Sequence, residues 1–591
     1  MNGLGLDPPS QKSVNIPIHD FLQRNRTLSI QIEEQMQRRD SDQEERMERP
    51  RRYQDPGLRS LLVRRHILMI SVSGTIGMGI LITSGQVLKL AGSAGAFLSY
   101  IITGFIIHCV VSSLGEMVSL IPEAGAIMEM PNRFLDEAFG WTVAIMYWFV
   151  YAMGVTTLVT STAILVTGWN TDVGQGWIIT AILAVVIAIN VFGIRVFGEI
   201  EYVCGFLKVV LMIGLSILML AINRGAGPLG KVHGIEYWKA PYRFPPSFGA
   251  GATTVDQPHL DHMISGSLGQ FLGVWKGMTL AAFSWVGVEI VAVTANEAKF
   301  PRDDLPRATV RIFWTSFTVY LASIFFVSLV VPFTEPGLLD LYDPRPTTGH
   351  LSPFVIAIKN AGIEFLPGFI SVAILFASWS TVNTTLFVAS RTIYGMAVKV
   401  DPIRYPRLAV LRQTTQNGVP LMAIFASCIF APLAYLQCGG ENPQKLLSVF
   451  SQVETVLCLI VWAVICLAFI RFYNGLQIES APHDRLSKDY PYCSWGQPAA
   501  AYIGLIGCTL LIVFNGFDVF IFKPFREQDF LAAYLAVFVF VVIYAMAKFL
   551  SGRPMVTKEL MSYVVQRENF DLRRPPNNDK TVGRFFSWIF G

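Results

Sequence analysis

The sequence predicts an all-α membrane protein with about twelve transmembrane helices. Of its 591 residues, 52% are hydrophobic and only 15% are charged, which is too apolar for a soluble protein of this length. A transmembrane helix needs about 20 mainly apolar residues, and segments of that kind recur along the chain. They lie near residues 67–84, 93–120, 138–168, 177–194, 200–222, 271–297, 312–333, 366–395, 418–437, 446–470, 499–521 and 530–549.

These segments form two similar blocks followed by an additional pair. The first five segments occupy 67–222, and the sixth to tenth occupy 271–470. Because an odd number of crossings places the start of the second block on the opposite side of the bilayer, we predict a five-plus-five inverted repeat. The last two segments, within 499–549, follow a polar loop and are predicted to be extra helices. The whole transmembrane domain is expected at 61–550.

Polar tails flank this domain. Residues 1–60 are rich in Arg, Glu and Gln and show no apolar run preceded by a basic stretch, so no cleavable signal peptide is predicted. We expect a disordered N-terminal tail and a basic C-terminal tail at 551–591, both of which could bind cytoplasmic regulators. The net charge is only +4, which gives no support for a nucleic-acid partner.

The distribution of Lys and Arg predicts the orientation in the membrane. Basic residues are concentrated before the first segment, after the sixth and after the eighth. Because cytoplasmic loops carry an excess of Lys and Arg, these loops and both termini are predicted to be cytoplasmic. The long segments 223–270 and 334–365 then face outward.

Two of the apolar segments are interrupted at corresponding positions, one at the start of each block. Residues 71–80 contain three glycines within six residues, and residues 282–289 place a glycine close to a glutamate. In lipid, every backbone N–H and C=O must be paired, so such interruptions are expected only where the backbone faces a cavity. Paired interruptions in two halves indicate the substrate site of a secondary transporter.

The chemistry of a helix break favours a zwitterionic ligand. Backbone N–H groups at a helix N-terminus suit a carboxylate, and carbonyl groups at a helix C-terminus suit an ammonium group. Close helix packing through small residues is the alternative explanation of the glycines. The candidate substrate-binding residues at the two breaks are Gly74, Thr75, Ile76, Gly77, Met78, Gly79, Phe283, Ser284, Trp285 and Gly287.

Two ionisable residues lie deep in apolar segments. Glu289 follows the second break, where a charge costs roughly 2.5–3.5 kcal/mol unless it is paired, hydrated or protonated. We therefore regard Glu289 as a candidate proton acceptor, with a hydrogen bond between helices as the alternative. Lys208 lies too deep in the fifth segment to reach the membrane surface, so its ammonium group needs carbonyl or carboxylate partners.

The remaining candidate site residues could also have a purely structural role. Phe283 and Trp285 could line the site or serve in packing, and Asn383 of the eighth segment could contact the substrate or bond a neighbouring helix. His259 and His262 have metal-compatible spacing, but in a Pro-rich outer loop we attribute it to chance. No Ser/His/Asp, Cys/His or metal-ligand constellation is evident, so we predict no enzyme activity, metal or cofactor.

Several motifs resemble the fungal amino-acid permeases of the amino acid, polyamine and organocation superfamily. The run from Gly74 to Ile80 resembles their first-segment signature, and residues 281–308 resemble their sixth segment and the loop after it. Shorter matches occur at Leu114–Met117, Arg133–Asp136, Phe197–Glu201 and Asn383–Ala397.

The resemblance implies a LeuT-type fold, unwound in its first and sixth segments around an amino-acid backbone. It also implies import of amino acids across the plasma membrane by proton symport, since a lysine on the fifth segment of proton-coupled relatives occupies the region of a sodium site. By that likeness, Lys208 favours protons over sodium, with a purely structural cation as the alternative. Met78 stands where the family usually has a small hydroxyl residue, and this motivates the alternative of a permease-like amino-acid sensor that transports nothing.

Overall fold

Helices occupy all the predicted apolar segments in a computed structural model of the chain. The structure describes residues 62–121, 125–167, 173–248, 264–294, 301–338, 352–400, 402, 405–439, 443–477, 485, 490, 492–521, 525, 527–552 and 555–556. The predicted N-terminal tail, nearly all of the predicted C-terminal tail, His259 and His262 lie outside these ranges. The all-α class predicted from the sequence is confirmed.

The first block contains six helices and a π-helical segment at Gly79–Thr83, which follows the first break. The helices are α1 (Arg64–Thr75), α2 (Ser84–Leu120), α3 (Ala126–Phe134), α4 (Glu137–Thr167), α5 (Gln175–Val191) and α6 (Ile194–Asn223).

The second block and the additional pair contain the other helices of the described residues. These are α7 (Gly266–Ser284), α8 (Ile290–Val293), α9 (Pro301–Ser328), α10 (Pro353–Asn360), α11 (Leu366–Lys399), α12 (Pro406–Ala409), α13 (Leu421–Ser427), α14 (Pro443–Leu476), α15 (Ala499–Val513), α16 (Phe517–Ile521) and α17 (Glu527–Ser551). Short 3₁₀ helices lie at Glu236–Trp238, Val410–Arg412 and Ala431–Cys438.

Within the described ranges, 9 helical stretches are long and apolar enough to cross a membrane. One of them, Arg65–Leu120, contains the first two predicted segments. The fourth predicted segment is the shorter α5, and the sixth is interrupted between α7 and α8. The helices therefore account for all the predicted segments, while the inverted relation of the two blocks stays a prediction.

Helix α6 shows how polarity is distributed in this fold. Its buried face carries Glu201 and Lys208, whereas the exposed face between residues 203 and 220 is apolar, as expected for a helix that meets lipid outside and a polar interior. The exposed side chains of that part include Phe206, Leu207, Val210, Ile213 and Ile217.

In the loop after α6, the described residues 224–248 are mostly irregular, as the proline content predicts. The short helix expected there is the 3₁₀ turn at Glu236–Trp238. A two-stranded antiparallel sheet of β1 (Ser247–Phe248) and β2 (Ile264–Ser265) precedes α7, and the sequence did not predict it. Ser247 pairs with Ser265 in this sheet.

Candidate functional site

The first predicted break is present between α1 and the π-helical segment. Helix α1 ends at Thr75, and Ile76 adopts an extended conformation with ψ of 99°. The segment Gly79–Thr83 then continues into α2. Backbone groups on both sides of Ile76 are thereby released from regular helical pairing, as the glycines at 74, 77 and 79 predict.

The second predicted break is also present. Helix α7 ends at Ser284, residues 285–289 form turns, and α8 begins at Ile290. Gly287 has φ of +107°, a conformation that residues with a Cβ rarely adopt. The glycine therefore allows the chain to turn between the two helices.

The two breaks touch each other. A Cβ on Gly287 would lie 2.9 Å from the carbonyl oxygen of Gly74, and a Cβ on Gly79 would lie 2.4 Å from the Cα of Ser284. Such distances are accessible only to glycine, so these residues allow one backbone to lie directly against the other. Two interrupted helices thus present their free main-chain groups at one place in the protein.

Other residues of the first break pack against neighbouring helices. A Cβ on Gly74 would lie 2.3 Å from Cδ1 of Ile290, and one on Gly77 would lie 2.8 Å from Oγ1 of Thr381. The Thr75 hydroxyl donates to the carbonyl of Ser71 at 2.7 Å, so it serves the backbone of α1. The side chain of Ile76 is buried in the apolar core.

A narrow cavity adjoins the breaks. Met78 from the first break and Phe283 from the last turn of α7 line it, so both lie where the sequence predicts a substrate-contacting side chain. Its polar lining comes from α2, α4, α14 and the end of the π-helical segment. These polar residues are Thr83, Gln86, Thr157, Ser161, Ser448 and Ser451.

Trp285 points elsewhere. Its ring packs against Phe313, Phe317 and Tyr320 of α9, with centroid distances of 5.9, 6.1 and 4.9 Å. The side chain is completely buried. The packing alternative therefore describes Trp285 better than a place in the cavity lining.

The ammonium group of Lys208 reaches the first break. Its Nζ donates to the Ser73 carbonyl at 2.6 Å, to the Ser73 hydroxyl at 3.1 Å and to the Thr381 hydroxyl at 2.8 Å. The predicted need for carbonyl partners is met, and the cation joins α6 to α1 and α11. The side chain is only 1% exposed.

Glu201 is a partner that the sequence analysis missed. Its Oε2 accepts hydrogen bonds from Ser73 at 2.5 Å and Ser380 at 3.0 Å, and its Oε1 accepts from Asn383 at 2.6 Å. Glu201 and Lys208 are separated by two helical turns on one face of α6, and this spacing in an apolar segment was the available signal. Asn383 also accepts from Asn190 at 2.8 Å, so its side chain connects helices.

Glu289 lies directly before α8 and is bonded to the third predicted segment. The Tyr151 hydroxyl donates to its Oε1 at 2.6 Å, and the Tyr147 hydroxyl lies at 3.5 Å. Oε2 has no hydrogen-bond partner in the described part of the chain. The carboxyl group therefore couples the second break to α4.

Two further tyrosines near the breaks were not singled out by the sequence. The Tyr320 hydroxyl of α9 lies 2.7 Å from the Thr75 carbonyl and 2.9 Å from the Ser284 carbonyl. The Tyr100 hydroxyl of α2 lies 2.9 Å from the Ser284 hydroxyl. Both side chains are fully buried.

The described residues do not form a metal site. No group of three or more His, Cys, Asp and Glu side chains among them could hold a metal ion. The polar groups around the two breaks are main-chain dipoles, hydroxyl groups and a few buried ionisable side chains.

Comparison with known proteins assigns the chain to a family. The family model described as amino acid permease matches residues 66–558, which include both breaks. The chain belongs to the amino acid permease family. The resemblance inferred from the motifs is therefore confirmed.

The permease is similar to several yeast proteins along most of their length. It is 32% identical over 499 residues to the proline-specific permease of Saccharomyces cerevisiae, covering 82% of this chain and 74% of that protein. The basic amino-acid permease of the same yeast is 30% identical over 487 residues, with 82% and 79% covered. Its general amino-acid permease is 31% identical over 458 residues, with 77% and 71% covered.

Proposed function

We propose that this permease imports amino acids across the plasma membrane by proton symport, with the substrate held between the two helix breaks. The observation that carries the proposal is the direct contact between the breaks, where Gly287 lies against the Gly74 carbonyl. Membership of the amino acid permease family and the names of the yeast relatives support the substrate class.

The breaks offer opposite poles to the two charges of an amino acid. Helices α1 and α7 end at Thr75 and Ser284, so their C-terminal carbonyls favour an ammonium group. The N-terminal end of the segment Gly79–Thr83 offers backbone N–H groups to a carboxylate. A main-chain site of this kind recognises the part that all amino acids share.

The side chain of the substrate would enter the adjacent cavity. Met78 and Phe283 supply apolar surface there, and the polar residues from α2, α4 and α14 supply hydroxyl and amide groups. Selection among amino acids would therefore depend on this lining and not on the breaks.

Proton coupling would involve Glu289 and Lys208. Glu289 stands between the second break and the tyrosines of α4, and Lys208 bonds the main chain two residues before the end of α1. A change of protonation at either residue alters hydrogen bonds that hold a break in place. Proton and substrate would thereby favour the same arrangement of the two breaks. Binding of each would then affect the affinity of the permease for the other.

Uptake of labelled amino acids tests the proposal. The permease would be expressed in a transporter-deficient host, and a panel containing proline, lysine, glutamate and leucine would be supplied with and without a protonophore. Accumulation of at least one amino acid that the protonophore abolishes is expected. Binding without accumulation would instead identify the protein as a sensor, and protonophore-resistant accumulation would contradict proton symport.

A further inference from the structure

The Tyr320 hydroxyl lies between the carbonyl groups that end the two interrupted helices. It is 2.7 Å from the oxygen of Thr75, the last residue of α1, and 2.9 Å from the oxygen of Ser284, the last residue of α7. The carbonyls at a helix C-terminus have no donor within their own helix. One side chain of α9 therefore serves both helix ends.

We propose that Tyr320 is a positioning residue that holds the two breaks together in the substrate-binding geometry. This inference rests on the proposed function, because it concerns binding of an amino acid between the breaks. It assigns to α9 a part in the site that neither break provides by itself.

Electrostatics gives the reason for such a link. Each helix end carries a partial negative charge, so two ends that meet repel each other unless a positive group lies between them. A phenol has one hydrogen, which it can direct to only one carbonyl at a time. Each carbonyl keeps lone pairs, so both oxygens remain able to accept hydrogen bonds from the ammonium group of a substrate.

Burial strengthens the link. Tyr320 is 0% exposed, so water does not compete for the one hydrogen bond that its hydroxyl donates. Its ring packs at 4.9 Å from Trp285 and 6.4 Å from Tyr100, measured between centroids. The ring is thus held by aromatic packing that would remain if only the hydroxyl were removed.

Tyr100 supports the same place from the other side. Its hydroxyl bonds the side chain of Ser284 at 2.9 Å, whereas Tyr320 bonds the main chain of that residue. The end of α7 is therefore held by two tyrosines, but only the hydroxyl of Tyr320 also reaches α1. Loss of the Tyr320 hydroxyl therefore removes a group shared by the two helix ends, whereas loss of the Tyr100 hydroxyl removes a contact of α7 alone.

The test compares Tyr320→Phe with Tyr534→Phe. Tyr534 of α17 donates to the Val513 carbonyl at 3.0 Å, far along the chain from either break, so each variant removes one bond from a tyrosine to a main-chain carbonyl. The probe is whichever of proline, lysine, glutamate and leucine the wild type takes up best. KM and the maximal rate would be measured, together with the thermal midpoint of the purified protein with and without that amino acid.

For Tyr320→Phe we expect KM to rise about three- to tenfold, with surface abundance close to wild type. The shift of the thermal midpoint produced by the amino acid should shrink in Tyr320→Phe and stay unchanged in Tyr534→Phe. If the Tyr320 hydroxyl were merely structural, Tyr320→Phe would lower the midpoint without ligand but leave the ligand-induced shift intact.

Equal KM values and equal ligand-induced shifts in the two variants would overturn the proposal. Misfolding of Tyr320→Phe beside a folded Tyr534→Phe would assign the hydroxyl to folding and overturn it as well. If the wild type neither binds nor takes up any amino acid of the panel, the proposed function fails, which is a result distinct from failure of the link.

Discussion

The ammonium nitrogen of Lys208 lies 2.6 Å from the carbonyl oxygen of Ser73, two residues before α1 ends. A buried cation is costly unless its hydrogens are bonded, and here Ser73 and Thr381 accept all three contacts. The same Ser73 hydroxyl donates to Glu201 at 2.5 Å. The last turn of α1, directly before the first break, is therefore held by the Lys208 ammonium group and the Glu201 carboxylate, both from α6.

Replacement of Lys208 by methionine keeps the apolar stem and removes the three donors. We expect accumulation of the substrate to fall about tenfold or more, because hydrogen bonds to charged groups contribute about 1.5–3 kcal/mol each. Any residual uptake should resist a protonophore. Initial uptake rates with and without the protonophore measure both effects.

A second buried lysine provides the control for that variant. Lys276 pairs with Asp518 at 3.0 Å, at a place remote in sequence from Ser73. Lys276→Met should lower stability by removing a charged partner of the Asp518 carboxylate, yet uptake by the folded protein should stay sensitive to the protonophore. Wild-type accumulation by Lys208→Met would contradict the assigned role.

Gly287→Ala should weaken substrate binding strongly. The added Cβ would lie 2.9 Å from the Gly74 carbonyl oxygen, and φ of +107° adds backbone strain of about 1–3 kcal/mol. Because the breaks can no longer touch, uptake is expected to fall about tenfold or more. Binding to the purified protein and uptake in cells would both be measured.

Gly266→Ala separates the two causes. Gly266 has φ of +78°, but a Cβ there would meet no heavy atom within 4 Å. This variant carries the backbone strain without the steric clash, so near-normal affinity is expected. Equal loss of affinity in both variants would show that strain, and not contact between the breaks, explains the effect.

Glu289→Gln should weaken the dependence of uptake on pH more than it weakens binding. Glutamine keeps the size and an oxygen acceptor for the Tyr151 hydroxyl at 2.6 Å, but it cannot exchange a proton. Uptake rates from acidic to neutral pH and the affinity at one pH would be compared with wild type. Glu236→Gln, at an exposed position of the loop after α6, is the control.

An unchanged pH profile in Glu289→Gln would remove Glu289 from the proton pathway. The tyrosine contact would then be the hydrogen bond between helices that the sequence analysis left as the alternative. Tyr151→Phe distinguishes these roles further, since it should alter affinity in either case but the pH profile only if Glu289 carries the proton.

The sequence predicted the backbone of this site better than its side chains. Glycines at 74, 77, 79 and 287 indicated the breaks. A glycine is required only where the backbone adopts an unusual conformation or lies very close to another element. The contact between the breaks follows from their matching positions in the two blocks. Likewise, the depth of Lys208 in an apolar segment revealed that it needed polar partners.

The missed residues lie on helices whose rotation about their axes the sequence does not determine. Tyr320 and Tyr151 are two of 19 tyrosines, and nothing in the local pattern distinguishes those that face a break. Trp285 lies in a turn without helical periodicity, so its direction toward α9 could not be derived. Asn383 faces Glu201 and Asn190 because of how α11 packs, which is a tertiary property.

Glu116→Gln should destabilise the permease through the C-terminal end of α2. The Glu116 carboxylate is fully buried and accepts hydrogen bonds from Arg485 at 2.6 and 2.8 Å, from Tyr490 at 3.0 Å and from both the amide and the hydroxyl of Ser494. These bonds raise the pKa of the Arg485 guanidinium above its usual value. Loss of the charge should lower the free energy of unfolding by roughly 3 kcal/mol, because one partner of a buried pair is left uncompensated.

Glu199→Gln is the matched control, since Glu199 pairs with Arg65 at 2.9 Å with both side chains about half exposed, and it also contacts His66 at 3.0 Å. Exposed ion pairs contribute about 0–1 kcal/mol, so this variant should stay close to wild type in thermal midpoint and surface abundance. Equal stability of Glu116→Gln and Glu199→Gln would mean that the loop residues around Arg485 do not anchor α2. A drop confined to Glu116→Gln explains the Leu114–Met117 motif as a structural requirement of the fold, independent of the substrate.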